Sequence, residues 1–285
     1  MTAIRARRHG TAPDRRPPLA DSFGRLHAVL PDLRIRIGPP RSGRGWTALA
    51  GVLADPVALG DLIAFDTRAT LRDHGTEPRP DVAAGFCLHR YLWPAALAFT
   101  APWFLERRVP RIRAERVSVN RSTGGLTVEV DGFACLPGDP EAHRPDARPV
   151  ADRAALRAEL RSALAEHLTP VIAAFRPATR RGSRTLWGMA TDDVVGGLWQ
   201  LGGLLGEEDR AAAELAELFP EPAATGPGRA GPGSAGTDRT AARSPFVGGA
   251  GFLTEQGRRT RNRTSCCLFY TVRPEELCAG CPRAQ

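Results

Sequence analysis

The sequence predicts an α+β protein: a mostly helical body with a small β-hairpin or meander, and a compact cysteine-rich segment at the C-terminal end. Three observations predict it. Apolar residues recur every three or four positions along most of the chain, and one stretch near 117–135 alternates instead. Four of the six cysteines fall within the last twenty residues.

Taken in order, residues 1–20 are rich in Arg and Pro and almost lack large apolar side chains, so they are expected to be a disordered basic tail. From Phe23 the pattern turns helical, with Phe23, Leu26, His27 and Leu30 on one face. "WTALAGVLADPVALGDLIAFDTRATL" continues with helical spacing, interrupted near Pro56. "DVAAGFCLHRYLWPAALAFTAPWFLERR" gives one or two largely buried helices. Its uncharged stretch from Tyr91 to Leu105 is broken by Pro94 and Pro102, and reads as a helical hairpin. In "RVSVNRSTGGLTVEVDGFACL", Val117 and Val119 precede a Gly124-Gly125 turn, and Leu126, Val128 and Val130 alternate after it. Leu156, Leu160, Leu164, Leu168, Val171 and Phe175 then mark a strong amphipathic helix. Another helix is expected to start around Thr185, and a shorter one around "EEDRAAAELAELF". These elements form a body over 21–220, with a cleft as its expected role. A Gly/Pro/Ala/Ser-rich stretch, 221–245, reads as a flexible linker, and 246–285 as the cysteine-bearing segment.

Composition narrows the function classes. The 285 residues carry a net charge of +8, and all 39 basic residues are arginine. Ten of them lie in 1–44 against Asp14, Asp21 and Asp32, so much of the excess charge is local. No DNA-reading helix or ribonucleoprotein strand is recognisable, so specific nucleic-acid binding is not expected. No stretch has the ~20 apolar residues of a spanning helix, and the start lacks a secretory h-region. A cytoplasmic location is expected, free or peripheral at the inner face of the membrane, where thiols stay reduced and cysteine clusters tend to bind metal. There is no G-x-G-x-x-G or Walker loop, so electrons for any redox step must come from a separate donor.

The cysteines are spaced C-C-x10-C-x2-C: Cys266, Cys267, Cys278 and Cys281. Four thiolates in one short segment can hold tetrahedral zinc or an iron–sulfur cluster, or can form redox-active disulfides. The adjacent pair leans towards a cluster. Neighbouring side chains on an extended strand point to opposite faces, so both reach one site only if the backbone bends or the site is wide. A [2Fe–2S] rhomb offers two irons, whereas a single zinc offers one point of attachment.

The run "RNRTSCCLFYTVRPEELCAGCP", with arginines and Ser265 before the first pair and Pro282 after the last cysteine, resembles the C-terminal signature of FhuF-like ferric-siderophore reductases. More loosely, "HLTPVIAAFRPATRRGSRTLWGMATDDVVGGL" is similar to that family's histidine–leucine and "LWGN" segment, with Met189 where Asn is common. The resemblance implies that Cys266, Cys267, Cys278 and Cys281 ligate one [2Fe–2S] cluster. It also implies one-electron reduction of siderophore-bound Fe(III), with the ferric siderophore and an unidentified electron donor as partners. Fe(II) is held far less tightly than Fe(III) by the hard siderophore oxygens, so one electron releases the metal. The rival functions are a zinc-stapled siderophore-binding or interaction module, and a [2Fe–2S] redox or iron sensor. Arg258, Arg259, Arg261, Arg263 and Arg273 lie close in sequence to the cysteines; cations near a cluster would raise its potential.

The remaining candidates weigh differently. Arg259, Arg261 and Arg263 read by default as a solvated basic surface, with contact to siderophore or donor as the alternative. Trp93, Trp187 and Trp199 read as core or interface anchors, and for Trp187 alone the alternative is that it lines a ligand cleft. Cys87 and Cys135 read as small core hydrophobes and His167 as a satisfied core histidine. His74 and His89 have no metal-ligand spacing, and nothing marks Asp192 and Asp193 as an acid–base pair.

Overall fold

The computed structural model describes residues 17–220, 244–278 and 280–284. Most of the expected disordered tail and linker, 1–16 and 221–243, therefore lies outside the described residues. Leu19, within the 1–20 stretch, is fully buried in the core, one residue ahead of the first helix.

Among the described residues, seven α-helices and three small sheets make the predicted α+β architecture. Helix α1 (Ala20–Val29) leads into strands β1 (Arg34–Ile37) and β2 (Trp46–Ala48), then α2 (Leu49–Ala54) and α3 (Pro56–His74). The interruption at Pro56 is a helix start: proline occupies the first turn and the Asp55 carboxylate accepts the Val57 N–H at 2.8 Å. Helix α4 (Pro80–Glu106) is a single 27-residue helix, which corrects the hairpin expected from Pro94 and Pro102. A proline inside a helix costs about 3 kcal/mol. Here the helix is apolar around nearly its whole circumference and packs on α1, α3, α5 (Arg153–Thr179) and α6 (Ser183–Leu204). Burial of so many side chains at roughly 25 cal/mol per Å² outweighs two missing hydrogen bonds.

The alternating stretch forms β4 (Val117–Asn120) and β5 (Gly125–Val128), antiparallel as expected, with Val119 opposite Leu126. Two partners were not foreseen. Strand β1 pairs parallel with β5, and β2 pairs antiparallel with β4, giving the order β1-β5-β4-β2. Strand β6 (Phe133–Cys135) leaves the hairpin to pair with β3 (Val109–Pro110) and β7 (Ala147–Pro149). Helix α7 (Glu208–Leu218) closes the body.

The chain re-enters at 244 and docks at once. Phe246 packs edge-to-face on Trp187 with ring centroids 5.1 Å apart, and the Ala250 N–H donates to the Phe219 carbonyl at 2.9 Å. Strands β8 (Phe252–Glu255) and β9 (Arg258–Arg261) then form a hairpin across the Gln256-Gly257 turn, where both residues have positive φ.

Candidate metal centre

One face of α6 receives the cysteine segment. Thr185, Gly188 and Asp192 are spaced to lie along that face. The Ser265 hydroxyl donates to the Thr185 carbonyl at 2.9 Å. A Cβ on Gly188 would come within 2.6 Å of the Ser265 hydroxyl oxygen, so only glycine allows the segment to sit this close. The Asp192 carboxylate, with its side chain fully buried, accepts from the backbone N–H groups of Thr264 (2.9 Å) and Ser265 (2.8 Å) and from Arg261 Nη2 (2.6 Å). A second donor of Arg261, Nη1, meets the Asp192 backbone carbonyl at 3.0 Å. Burial raises the Asp192 carboxyl above its ordinary range, and Arg261 and the two backbone donors pull against it. Arg261 is thus 7% exposed, not a solvated surface group. Asp192 had no sequence signal of its own; its acceptor role depends on residues about 70 positions away.

After Ser265 the chain bends. Leu268 adopts a left-handed conformation (φ 63°), and its N–H donates to Cys266 Sγ at 3.4 Å. The Arg181 guanidinium donates to the Cys266 carbonyl at 2.7 Å. Leu268, Phe269 and Val272 pack on Val82 and Phe86 of α4, so the loop is held from two helices. The C-x-x-C half is a tight turn, with the Cys281 N–H donating to the Cys278 carbonyl at 3.0 Å. Gly280 sits in it at φ 68°, and its carbonyl accepts the Arg263 N–H at 2.8 Å. A Cβ there would lie 2.1 Å from the Arg261 carbonyl oxygen.

Two of the four thiols form a close pair, with Cys267 Sγ and Cys278 Sγ 3.6 Å apart. Among the described residues, no three His, Cys, Asp or Glu side chains converge on a single metal position. Two sulfurs on one tetrahedral metal at about 2.3 Å lie roughly 3.8 Å apart, close to the observed pair. Burial and the neighbouring Cys267 sulfur push the Cys278 thiol up to about 12. Sulfurs this crowded become thiolates when a cationic centre displaces their protons, so the donor set fits such a centre.

Arg263 joins the metal centre to a cleft. Its Nη1 lies 3.8 Å from Cys278 Sγ and its Nε 4.0 Å from the Asp192 carboxylate. The cleft, of about 920 Å³, is lined by Trp93 of α4, Trp199 and Gln200 of α6, Arg258 of the hairpin, and Arg263 and Cys278. His89 and Asp193 also line it, with His89 Nδ1 2.6 Å from an Asp193 carboxylate oxygen but off the line of a hydrogen bond. Arg259 holds its hairpin against the body through Asp209 at 2.8 Å and Glu208 at 3.6 Å. Of the expected contacts, Arg259, Arg261 and Arg263 line the cleft. Trp187 does not: it is 6% exposed and packs against Phe246 in the core. Cys87, Cys135 and His167 are buried and line neither cavity that the thiols border, His167 sitting between the Tyr91 hydroxyl (2.7 Å) and the Ile112 carbonyl (2.9 Å).

Four clustered thiols, one close pair among them, beside a buried carboxylate and a cleft, have the donor chemistry of a metal–thiolate site. Residues 263–283 match the family model of the FhuF 2Fe-2S C-terminal domain. By this segment the chain is FhuF-like, and its cofactor is a [2Fe–2S] cluster rather than the zinc left open by spacing. No curated protein matches the chain.

Proposed function

We propose that the chain is a ferric-siderophore reductase, with Cys266, Cys267, Cys278 and Cys281 as the cluster ligands. The observation that carries this reading is the position of Cys278, whose side chain borders a cleft of about 920 Å³. That volume lies in the range of sites that enclose a ligand of several hundred daltons. The cluster supplies one electron at a time, taken from a separate one-electron donor and given to siderophore-bound Fe(III), which leaves as Fe(II).

The chain's own residues hold and orient the reactants. Trp93 and Trp199 offer apolar walls for the chelate's organic backbone. Arg258, exposed on the hairpin, offers donors to the oxygens of a ferric chelate. Asp192 fixes the approach of the cysteine segment, so the thiol-bearing wall keeps its place relative to α6. On this reading 21–220 is the siderophore-facing body and 246–285 the cluster-binding segment.

The test is anaerobic mixing of dithionite-reduced, desalted protein with ferric hydroxamate and ferric catecholate chelates, with an Fe(II) trap present. Stoichiometric loss of the reduced-cluster spectrum with one trapped Fe(II) per cluster is expected. Retention of the reduced spectrum against every chelate would leave a sensor as the better account.

A further inference from the structure

The four thiols are not equivalent. The Cys267/Cys278 pair lines the cavities on the body side: Cys278 borders the large cleft, and both border a smaller one of about 200 Å³ with His74, His89 and Arg263. Cys266 and Cys281 line neither. The Arg263 guanidinium donates to a thiol sulfur, its Nη1 3.8 Å from Cys278 Sγ. Arg263 is 15% exposed at its side chain, so its charge is weakly screened by solvent.

We infer that the close pair Cys267 and Cys278 holds one iron, which leaves Cys266 and Cys281 for the other, and that Arg263 makes the Cys267/Cys278 iron the cleft-facing, electron-accepting one. The inference rests on the ligand set proposed above. Its physical content is a polarity. A rhomb gains one negative charge on reduction, and a nearby cation that stabilises this charge does so most at the closer iron. Asp192 tempers the effect, since its carboxylate lies 4.0 Å from the far side of the same guanidinium. The thiolate of Cys278 is then both a ligand of the reducible iron and part of the wall a substrate touches. Cys266 carries a different device: the Leu268 N–H aimed at its sulfur, a neutral and weaker donor than a guanidinium.

The pairing is read by Mössbauer spectroscopy of oxidised, iron-57-enriched protein, where both irons are ferric. The double variants Cys267→Ser with Cys278→Ser, and Cys266→Ser with Cys281→Ser, should each keep one iron at wild-type parameters beside one strongly altered iron. Cys266→Ser with Cys278→Ser should leave neither iron unaltered. The opposite pattern overturns the pairing.

Unsubstituted reduced protein gives a second reading, independent of whether the variants assemble. In proton NMR, cysteine β-protons on ferrous and ferric iron shift with temperature in opposite senses, and those of Cys267 and Cys278 should share the ferrous behaviour. A ferrous pattern on Cys266 or Cys281 overturns the polarity. Arg263→Gln should lower the cluster's electron affinity about tenfold, a 59 mV fall in midpoint for one electron, with Arg263→Lys restoring most of it. An unchanged midpoint in Arg263→Gln overturns the role of Arg263. None of these readouts uses a siderophore, so failure of chelate reduction leaves them intact. Wild-type protein without two iron sites overturns the ligand set and this inference together.

Discussion

Asp192 carries the most weight of any single side chain outside the cysteines. Three donors from the C-terminal segment end on one buried carboxylate, and two of them belong to the backbone just before Cys266. Asp192→Asn keeps the shape but removes the charge that faces Arg261. Breaking a buried, hydrogen-bonded ion pair costs roughly 3–5 kcal/mol. Where opening of the segment limits the loss, visible absorbance under a chelator should therefore fall roughly a hundred- to a few thousandfold faster. Arg261→Gln should produce a similar loss, and the double variant little more, because the two act on one interaction. A second residue-scale expectation concerns pH. Burial holds His167 down to about 4, below the usual 6.5 of histidine, with Nδ1–H donating to the Ile112 carbonyl. The folded state keeps it neutral where the unfolded chain already binds a proton. Stability is therefore full above about pH 6.5 and falls as pH drops towards 4, by about 3 kcal/mol in all. Denaturant titrations at successive pH values should show this slope, and His167→Gln should flatten it. The core role of His167 was legible from its shared face with Leu160, Leu164 and Val171. That of Asp192 was not, because a carboxylate in a helix shows nothing of a partner supplied from far along the chain.

At the scale of elements, legibility followed how local the pattern was. Helix α5 and the β4–β5 hairpin follow from repeats within a few residues, and both form where expected. Strands β1 and β2 escaped because their partners lie some 70 to 90 residues away, and pairing of that kind leaves no short-range repeat. Helix α4 was misread for the opposite reason: its prolines gave a strong local signal that packing on four helices overrode. The α6 face is the element that turns fold into site. Gly188→Ala should raise helix propensity by about 1 kcal/mol and yet weaken the site, since its Cβ would press on the Ser265 hydroxyl. Unchanged far-UV circular dichroism with lower iron and sulfide content per chain is the expected result. Iron content at the wild-type level would show that the segment can shift to make room.

For the whole molecule, the body holds nearly all of the buried apolar side chains, and the cysteine segment adds the small cluster of Val272 on Val82 and Phe86. The segment's stability then depends on the metal centre to a degree that the body's does not. Removal of the cluster by acid or a strong chelator should raise amide exchange across 262–273 by orders of magnitude. The interiors of α4 and α5 should stay protected, as hydrogen-exchange mass spectrometry would show. Equal loss of protection in both would mean that the two regions unfold as one unit. None of the described helices is long and apolar enough to cross a membrane. The α+β class and the cofactor were both legible in the sequence; a cleft was expected, but its place was not legible, because its walls come from α4, α6 and the β8–β9 hairpin together.

The dependence of the cysteine segment on Asp192 bears on whether the motif is portable. A graft of 263–283 into another scaffold would carry all four thiols, but no carboxylate to accept the N–H groups of Thr264 and Ser265, and no glycine-lined helix to lie against. The smallest transplantable unit is a pair of pieces: those twenty-one residues, and the α6 face that presents Thr185, Gly188 and Asp192.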